Sequence, residues 1–347
     1  MAYKGVLDDI RACVAGRVPK RLPVFACSEE MDVRLCGRTY EEFATDAKVM
    51  AEVAIQSVKR LDYDWAWLQI DDCFVVENLG VGCKGEGNIL RATVDYLPAT
   101  RATLNQLPRV DIRRAGRVPI LLEAIRRVKD EFGDTLCVVG HAEAPFSAAT
   151  LLYGLNASML LLADDPKLLR DTMRVMTEIE IEFALAQLEA GADAIWLGDC
   201  NASTHLMSVA KYQELAAEPC RQVIDAIQRA GGWTFLHNSE ESAAGAAAQA
   251  ALKPSALSIG PGGSLVEIRH AVGPKQCLLG NVNPILVLAR GTPADVERQV
   301  REIIDTVSIH GGHILDSGEM VPRDTPEENI RTMIRVAREH WARRTRK

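Results

Sequence analysis

Side chains able to bind metals or to transfer protons recur at the ends of short apolar segments in this chain. His237 ends the segment WTFLH, and Glu240 follows three residues later. Carboxylates, imidazoles and thiols gathered at one place are costly to desolvate unless they hold a ligand, a metal ion or each other. The candidate functional residues are Asp71, Asp72, Asp199, Cys200, His237, Glu240, Asn283 and Glu319.

The first hypothesis is a zinc site formed by His237, Glu240 and Glu319. Zinc accepts histidine nitrogen and carboxylate oxygen, and a catalytic zinc site leaves one position open. Cys200 is a candidate fourth contact, whereas the hydroxyl of Ser239 is a poor ligand unless deprotonated. The sequence leaves open which of these two contacts the metal. These residues are scattered, without a tight spacing such as HExxH, and a lone histidine at a strand end is a structural group about as often as a ligand.

A second set of residues is predicted to line the substrate cavity, where polar groups would orient the substrate. These residues are Asp71, Asp72, Asp199, Cys200 and Asn283. Asp71 and His237 are also the candidate catalytic residues. The alternative for Asp199 is a structural role as the N-cap of a short helix near Ala202.

Eight apolar segments of strand length must position these side chains. They lack a steady polar alternation, which is typical of parallel strands buried on both faces. The predicted strands cover residues 22–27, 65–71, 136–140, 194–199, 233–237, 256–260, 276–280 and 313–315. The polar residues follow the carboxyl ends of these segments much more often than they precede the amino ends. Some of them could instead cap the following helices.

Segments with a helical period of about 3.6 residues lie between most of the predicted strands. They cover residues 39–60, 120–132, 166–189, 208–229 and 293–309, and the first begins with Thr39 as a predicted N-cap. An amphipathic helix is also predicted at the amino terminus. Alternating strands and helices repeated to eight favour a single (β/α)8 TIM barrel spanning residues 1–347, with its active site at the carboxyl ends of the strands.

Residues 77–108 fit neither template and contain Gly80, Gly82, Gly85 and Gly87. A long loop after a strand in a compact domain is usually functional. We therefore expect this loop to cover the carboxyl-terminal face of the barrel, with an ordinary surface excursion as the alternative.

Composition excludes several classes of protein. The 347 residues are 48% hydrophobic, with a formal net charge of −7 and nine cysteines without a paired CxxC spacing. The chain has no basic stripe of the kind that binds nucleic acids. It also has no run of about 18 apolar residues, the length that a membrane span needs. The cysteines fit a reducing compartment, and the first residues do not resemble a signal peptide, so a cytoplasmic protein is expected.

Several segments resemble the uroporphyrinogen decarboxylase superfamily, which includes cobalamin-dependent methyltransferases. The similar stretches are IDDCFVVENLGVGC (70–83), VVGHAEAPFSAATLLYG (138–154), GADAIWLGDCNAS (191–203), GNVNPILVLARGTPADVERQV (280–300) and GGHILDSGEMVPRDTPEENI (311–330). The resemblance covers nearly the whole chain, and it implies the same barrel.

The two branches of this superfamily differ after the first strand. The porphyrinogen decarboxylases carry an arginine-rich RQAGR-like segment there, which binds substrate carboxylates. This chain has ACSEEMDVRLCGR (26–38) instead, which places acidic groups where a tetra-acidic porphyrin needs cations. Asp71 nevertheless matches the central aspartate of the decarboxylases, so a cofactor-free lyase acting on a carboxylated substrate remains the alternative. A barrel that binds a ligand without turnover is a third possibility.

In the methyltransferase branch, a His-x-Cys after strand five and a cysteine after strand eight bind zinc. Here His237 matches the histidine, while Ser239 and Glu319 occupy the cysteine positions. Fewer thiolates leave zinc a stronger Lewis acid. The resemblance thus implies a zinc-dependent methyltransferase that moves a methyl group between a small methylated substrate, such as a methoxylated aromatic, and a corrinoid. No DxHxxG motif is recognised, so a separate corrinoid protein is the expected partner. The sequence does not determine the direction of transfer, the methyl donor or whether the protein forms a homodimer.

Overall fold

The computed structural model describes residues 2–345, and its centre is a curled parallel sheet of seven strands. The strands in chain order are β1 (Trp65–Trp67), β2 (Gly82–Lys84), β3 (Ala92–Asp95), β4 (Cys137–Glu143), β5 (Ala194–Gly198), β6 (Trp233–His237), β7 (Ala256–Ser258), β8 (Cys277–Leu279) and β9 (His313–Ile314). The large sheet has the order β1-β4-β5-β6-β7-β8-β9, and β2 and β3 form a separate antiparallel hairpin. The seven strands of the large sheet therefore follow one another in sequence order, as in TIM-barrel-like folds.

The predicted first strand, residues 22–27, is the main difference from the expected fold. This segment forms only an isolated parallel bridge between Val24 and Leu315, so the regular sheet is not closed into eight strands. On its other side the amide of Val24 donates to the carboxylate of Asp64, not to a backbone carbonyl. A side chain thus replaces one ladder contact, and Pro23 has no amide hydrogen with which to extend the ladder. The prediction of eight regular strands was wrong for this reason.

The segment nevertheless lies between the two edge strands of the sheet. The amide of Phe25 donates to the carbonyl of Leu315 at 2.8 Å, and the amide of Asp64 donates to the carbonyl of Val24 at 3.0 Å. The side chains of Val24 and Phe25 are fully buried. A TIM-barrel-like arrangement is consistent with these contacts, although the seven regular strands leave a gap.

Fifteen α-helices lie in the described part of the chain. They are α1 (Val6–Val14), α2 (Glu29–Leu35), α3 (Tyr40–Thr45), α4 (Ala47–Leu61), α5 (Arg101–Asn105), α6 (Val118–Phe132), α7 (Pro145–Tyr153), α8 (Leu155–Asp164), α9 (Pro166–Glu189), α10 (Val209–Lys211), α11 (Ala217–Arg229), α12 (Ala243–Ala250), α13 (Leu265–Val272), α14 (Pro293–Thr306) and α15 (Glu327–Thr345). In residues 2–345 no single helix is both long and apolar enough to cross a membrane. The consecutive helices α7 and α8 reach that length and composition only together, and they are bent by 111°.

Capping residues explain where several predicted helices begin and end. Thr39 forms the expected N-cap, in a capping box with Glu42. The predicted helix 39–60 is nevertheless divided, because the side chain of Asp46 accepts hydrogen bonds from the amides of Lys48 and Val49 and starts α4 anew. Helix α9 has the predicted bounds. The predicted helix 208–229 contains a π-helical turn at Tyr212–Ala216 between α10 and α11.

The interior of the curled sheet is filled by aromatic side chains. Trp65 stacks on Phe25 with ring centroids 4.4 Å apart, and Trp67 lies 5.1 Å from Trp196. All four of these side chains are at most 6% exposed. Large aromatic side chains stabilise a fold through the apolar area that they bury. They form a rigid floor beneath the strand ends.

The loop predicted to cover the mouth has secondary structure of its own. It contains a 3₁₀ turn at Val76–Leu79, the β2–β3 hairpin and α5. Residues Leu90 to Thr93 line a cavity at the strand ends. This placement agrees with a covering role.

Asp64 joins the first segment to the sheet, and its removal tests how much the incomplete closure contributes to stability. Its buried carboxylate contacts Arg21 and Arg338 besides the amide of Val24. We expect Asp64→Ala to lower the free energy of unfolding in urea by about 3–5 kcal/mol, because it leaves partly buried arginines unpaired. The exposed pair of Asp8 with Arg11 provides the control, since Asp8→Ala should change stability by less than about 0.5 kcal/mol. Equal effects of the two substitutions would show that Asp64 does not anchor the segment.

Candidate active site

Two adjoining cavities open at the carboxyl ends of the strands. The inner cavity has a volume of about 170 Å³ and the outer cavity about 340 Å³. Both are lined by Trp67, Gln69, Asp72, Leu151 and Met320. This is the face on which barrel enzymes build their active sites. The inner cavity is additionally lined by Cys27, Glu143, Ser147, Trp196, Gly198, Cys200, Asn201, His237 and Glu319.

Cys200, His237 and Glu319 form the group in this cavity that could hold a metal ion. One ligand atom from each residue lies within 4.8 Å of the others, and His237 Nε2 is 3.2 Å from Glu319 Oε1. Two ligands of a tetrahedral zinc ion at about 2.0–2.1 Å from the metal would be separated by about 3.3 Å. The structure therefore brings together two of the three predicted metal ligands, with Cys200 as the third member.

The surroundings of His237 orient its ring. Nδ1 lies 3.0 Å from the hydroxyl of Ser258, which leaves Nε2 directed at the group. Metal-binding histidines typically have their second nitrogen held in this way. Burial alone would lower the pKa of His237, but Cys200 and Glu319 raise it well above its usual value. A positive charge is thus favoured at this position.

Glu319 and Ser239 complete the immediate surroundings. The Ser239 hydroxyl contacts Glu319 Oε1 and lies 3.6 Å from Cys200 Sγ. Burial alone would raise the pKa of Glu319, but His237 and the hydrogen bonds from His237 and Ser239 lower it to about 2. Glu319 is therefore a carboxylate near neutral pH. The Ser239 side chain contacts both Glu319 and Cys200, and its backbone has a left-handed φ of 55°.

Glu240 is not part of this group. Its two carboxylate oxygens accept hydrogen bonds from the amides of Thr204, Glu241 and Ser242, and from the hydroxyl of Thr204. These donors lower its pKa despite the opposing effect of burial. By accepting these hydrogen bonds, Glu240 links the loop that contains Thr204 to the loop that contains Ser242. Glu240 was predicted as a metal ligand because it follows His237 so closely, but the chain turns its side chain away.

Asp71, predicted to be catalytic and to line the substrate cavity, is held in an ion-pair network at the wall of the outer cavity. Arg117 donates to both of its oxygens, at 2.8 and 2.9 Å, and the amide of Cys73 donates at 2.9 Å. Arg117 also donates to Glu77, and its guanidinium lies 4.0 Å from the ring centroid of Phe74. Asp71 reaches the wall of the outer cavity, but its oxygens are already occupied.

Asp72 lies at the cavity surface as predicted. It lines both cavities, and Gln69 donates a hydrogen bond to it. Desolvation and the adjacent Asp71 raise the pKa of Asp72 to about 6, against the lowering influence of Gln69 and His237. Glu143, at the end of β4, also faces the inner cavity, and desolvation followed by the charge of Asp72 raises its pKa well above the usual value.

Asp199 and Asn283, also predicted to line the substrate cavity, are not among the residues that line either cavity. Asp199 is fully buried and accepts from the hydroxyl of Ser147, and burial raises its pKa to about 8. Its side chain does not cap the turn at Cys200–Ala202 either. Asn283 caps the π-helical turn Pro284–Ala289 by accepting from the amides of Ile285 and Leu286. Cys200, by contrast, lines the inner cavity.

Sequence reasoning missed Trp67, Trp196, Gln69, Arg91 and Glu143 as lining residues. The two tryptophans lie within apolar strands and looked like ordinary core residues. Gln69 lies inside the segment predicted as strand 65–71, but the regular strand ends at Trp67. The tendency of polar residues to follow the strands was the available signal for Glu143.

Comparison with known proteins places the chain in a family. A family model described as uroporphyrinogen decarboxylase (URO-D) matches residues 7–340. The chain belongs to this family. The URO-D assignment confirms the resemblance found in the strand-end motifs.

Curated relatives within the URO-D family carry two kinds of name. A methylcobamide:CoM methyltransferase of Methanosarcina mazei is 25% identical over 88% of each chain. A uroporphyrinogen decarboxylase of Nocardia farcinica is 26% identical over 94% of this chain and 95% of its own length. A solved structure described as a methyltransferase from Methanosarcina mazei superposes with a TM-score of 0.88 at 22% identity, covering 96% of this chain and 98% of that one. At this identity the superposition supports the fold alone.

The roles of Asp71 and Asp72 can be separated by a pair of substitutions. Asp71→Asn should lower the free energy of unfolding by about 3 kcal/mol, because it weakens a buried pair with Arg117. Asp72→Asn should change stability by less than about 1 kcal/mol, since Asp72 faces the cavity. Urea unfolding monitored by circular dichroism measures both. A stable Asp71→Asn variant would contradict the structural role assigned to Asp71.

Proposed function

We propose that this protein is a zinc-dependent methyltransferase that moves a methyl group between a small substrate and a separate corrinoid protein. The observation that carries the proposal is the group of Cys200, His237 and Glu319 at the mouth of the sheet. The URO-D family and its methylcobamide:CoM methyltransferase relatives support it.

The three side chains fit zinc by their chemistry. One thiolate, one imidazole and one carboxylate are common zinc ligands, and three protein ligands leave a fourth position for substrate. Two anionic ligands would neutralise the double charge of the ion. Ser258 would hold His237 with Nε2 toward the metal, and Ser239 would orient Glu319 and Cys200. In this assignment Cys200 replaces the predicted Glu240.

Zinc at this position would act as a Lewis acid on the heteroatom that carries or receives the methyl group. Transfer to cobalt(I) breaks the bond from carbon to that heteroatom while a bond from carbon to cobalt forms, and the three atoms must be nearly collinear. The chain's own contribution is to fix the heteroatom at the floor of the cavity. Leu151, Trp67 and Met320 supply apolar walls to this cavity.

The positions of the arginines favour this function over decarboxylation of a porphyrin. Arg34 donates to the carbonyls of Arg323 and Thr325, and Arg38 pairs with Glu42 and Glu52. Neither arginine is among the residues that line the two cavities. In the inner cavity a tetra-acidic substrate would therefore meet carboxylates without matching cations, and Arg91 of the outer cavity is already paired with Glu77.

Metal analysis tests the proposed ligands directly. We expect the purified protein to contain about one zinc ion per chain, and Cys200→Ser, His237→Gln and Glu319→Gln to weaken zinc affinity by about 100-fold or more, because each removes one of three ligands. Cys36→Ser is the matched control for the thiol, since Cys36 lies elsewhere, near Ser57. Competition with a chromogenic chelator gives the affinities. Zinc that is retained in all three variants would disprove the assignment.

The reaction is tested by the absorption spectrum of the corrinoid. Zinc-loaded protein mixed with cob(I)alamin and a panel of methylated thioethers, ethers and amines should convert it to methylcobalamin with at least one donor. The His237→Gln variant should lower this rate by about 100-fold or more through loss of the metal. Failure of every donor, together with release of carbon dioxide from a carboxylated substrate, would replace the methyltransferase by the decarboxylase alternative.

A further inference from the structure

We propose that the inner cavity binds an alkylammonium group, so that the methyl-carrying or methyl-accepting substrate is a short cationic molecule whose heteroatom reaches Cys200, His237 and Glu319. The proposal rests on the methyltransferase function and adds the charge class of its substrate. It is carried by the carboxylates, the unpartnered acceptors and the aromatic rings that line this cavity.

The charged groups beside the proposed metal position are acidic. Asp72 and Glu143 line the inner cavity in addition to Glu319, and no lysine or arginine is among the residues described as lining it. Arg91 lines the outer cavity, where its Nε donates to Glu77 at 2.8 Å. Zinc bound by Cys200 and Glu319 would leave Asp72 and Glu143 without a cation of their own.

The parallel register places Glu143 close to the proposed metal position. Glu143, Gly198 and His237 are Cα partners across β4, β5 and β6. Adjacent strands are about 4.8 Å apart, so the Cα atoms of Glu143 and His237 are separated by about 10 Å. The carboxylate of Glu143 crosses over Gly198, because a Cβ added there would lie 2.7 Å from Glu143 Oε2. Glu143 thus points along the row toward His237.

The cavity offers hydrogen-bond acceptors that have no donors. Neither the carboxylate oxygens of Glu143 nor Gln69 Oε1 accepts a hydrogen bond from a described residue, and these atoms are open to the cavity. Gln69 uses its nitrogen to donate to Asp72. An ammonium group has three donors and no acceptor, so it would satisfy Gln69, Glu143 and Asp72 together.

Two tryptophan rings add to the preference of the site for a cation. Trp67 and Trp196 line the inner cavity with ring centroids 5.1 Å apart, and Trp196 lies 4.8 Å from the ring of His237. Indole faces attract cations, and more strongly when water is excluded. Coenzyme M, which the names of the methyltransferase relatives include, carries a sulfonate and would be repelled by the same carboxylates.

Three thiols with the same two-carbon spacer test this charge preference in the zinc-loaded protein. They are 2-aminoethanethiol, 2-mercaptoethanol and 2-mercaptoethanesulfonate, which carry a positive, a neutral and a negative end. Calorimetric titration should give an affinity for 2-aminoethanethiol about tenfold or more above that for 2-mercaptoethanol, with the sulfonate the weakest. Equal affinities, or tightest binding of the sulfonate, would overturn the proposal.

Two variants test whether Glu143 causes this preference. The ratio of the two affinities is compared between proteins, so the different acidities of the two thiols cancel. Glu143→Gln removes the carboxyl group that a bound ammonium would hold in its charged form, and Gly198→Ala keeps this group but displaces it. Both should reduce the preference for 2-aminoethanethiol over 2-mercaptoethanol to less than about threefold, while the affinity for 2-mercaptoethanol stays within about twofold. Glu178→Gln, on an exposed helix surface, is the control and should leave the ratio unchanged. An unchanged ratio in Glu143→Gln would refute the role of this residue.

Ligands without a thiol distinguish this proposal from the metal assignment. Ethylammonium and ethanesulfonate need no zinc, so preferential binding of ethylammonium to metal-free protein supports the cation site even if zinc affinity proves weak. Conversely, zinc binding and methyl transfer with neutral or anionic donors alone, without ethylammonium binding, would retain the methyltransferase and reject the cationic substrate.

Discussion

The parallel pairing of β4, β5 and β6 is the constraint on which the site depends. It sets Glu143, Gly198 and His237 side by side, and it brings Cys200 to the same edge because Cys200 follows β5 by two residues. Side chains at one register of parallel strands point to the same side. Residues far apart in sequence therefore reach one another without any local motif. The rings of Trp65, Trp67 and Trp196 pack against one another in the interior of the sheet.

The fold gives some of its acidic side chains cationic or amide partners and leaves others without them. Asp71 and Asp64 have arginine partners, and Glu240 has amide donors. Asp72 and Glu143 have no such cation, and both have raised pKa values. Unpaired carboxyl groups with raised pKa values are frequent at functional sites, and Asp72 and Glu143 both line the inner cavity. Pairing alone does not identify the residues that face the cavity, since Asp199 is fully buried, pairs with no described cation and lines neither cavity.

Much of the architecture could be predicted from periodicity and caps. Strand β6 and helix α9 have their predicted bounds, because apolar runs and flanking glycine or proline define them locally. Residues 22–27 were mispredicted because the replacement of a ladder contact by Asp64 depends on tertiary structure. For the site, His237 and Glu319 were predicted to lie together, and they do. Glu240, Asp199 and Asn283 could not be separated from them, since a strand-end position does not reveal whether a side chain turns inward or toward neighbouring amides.

The ion pairs around Arg117 also determine how the mouth of the sheet can respond to a partner. Arg91 of the β3 strand edge contacts Glu77, Glu77 contacts Arg117, and Arg117 contacts Asp71 at the end of the β1 region. This chain of charges ties the covering hairpin to the sheet through partly buried contacts. The rim is therefore preorganised, so a macromolecule that docks there loses little conformational entropy in ordering it. Its rate of association would be governed by diffusion and surface charge more than by the opening of a lid.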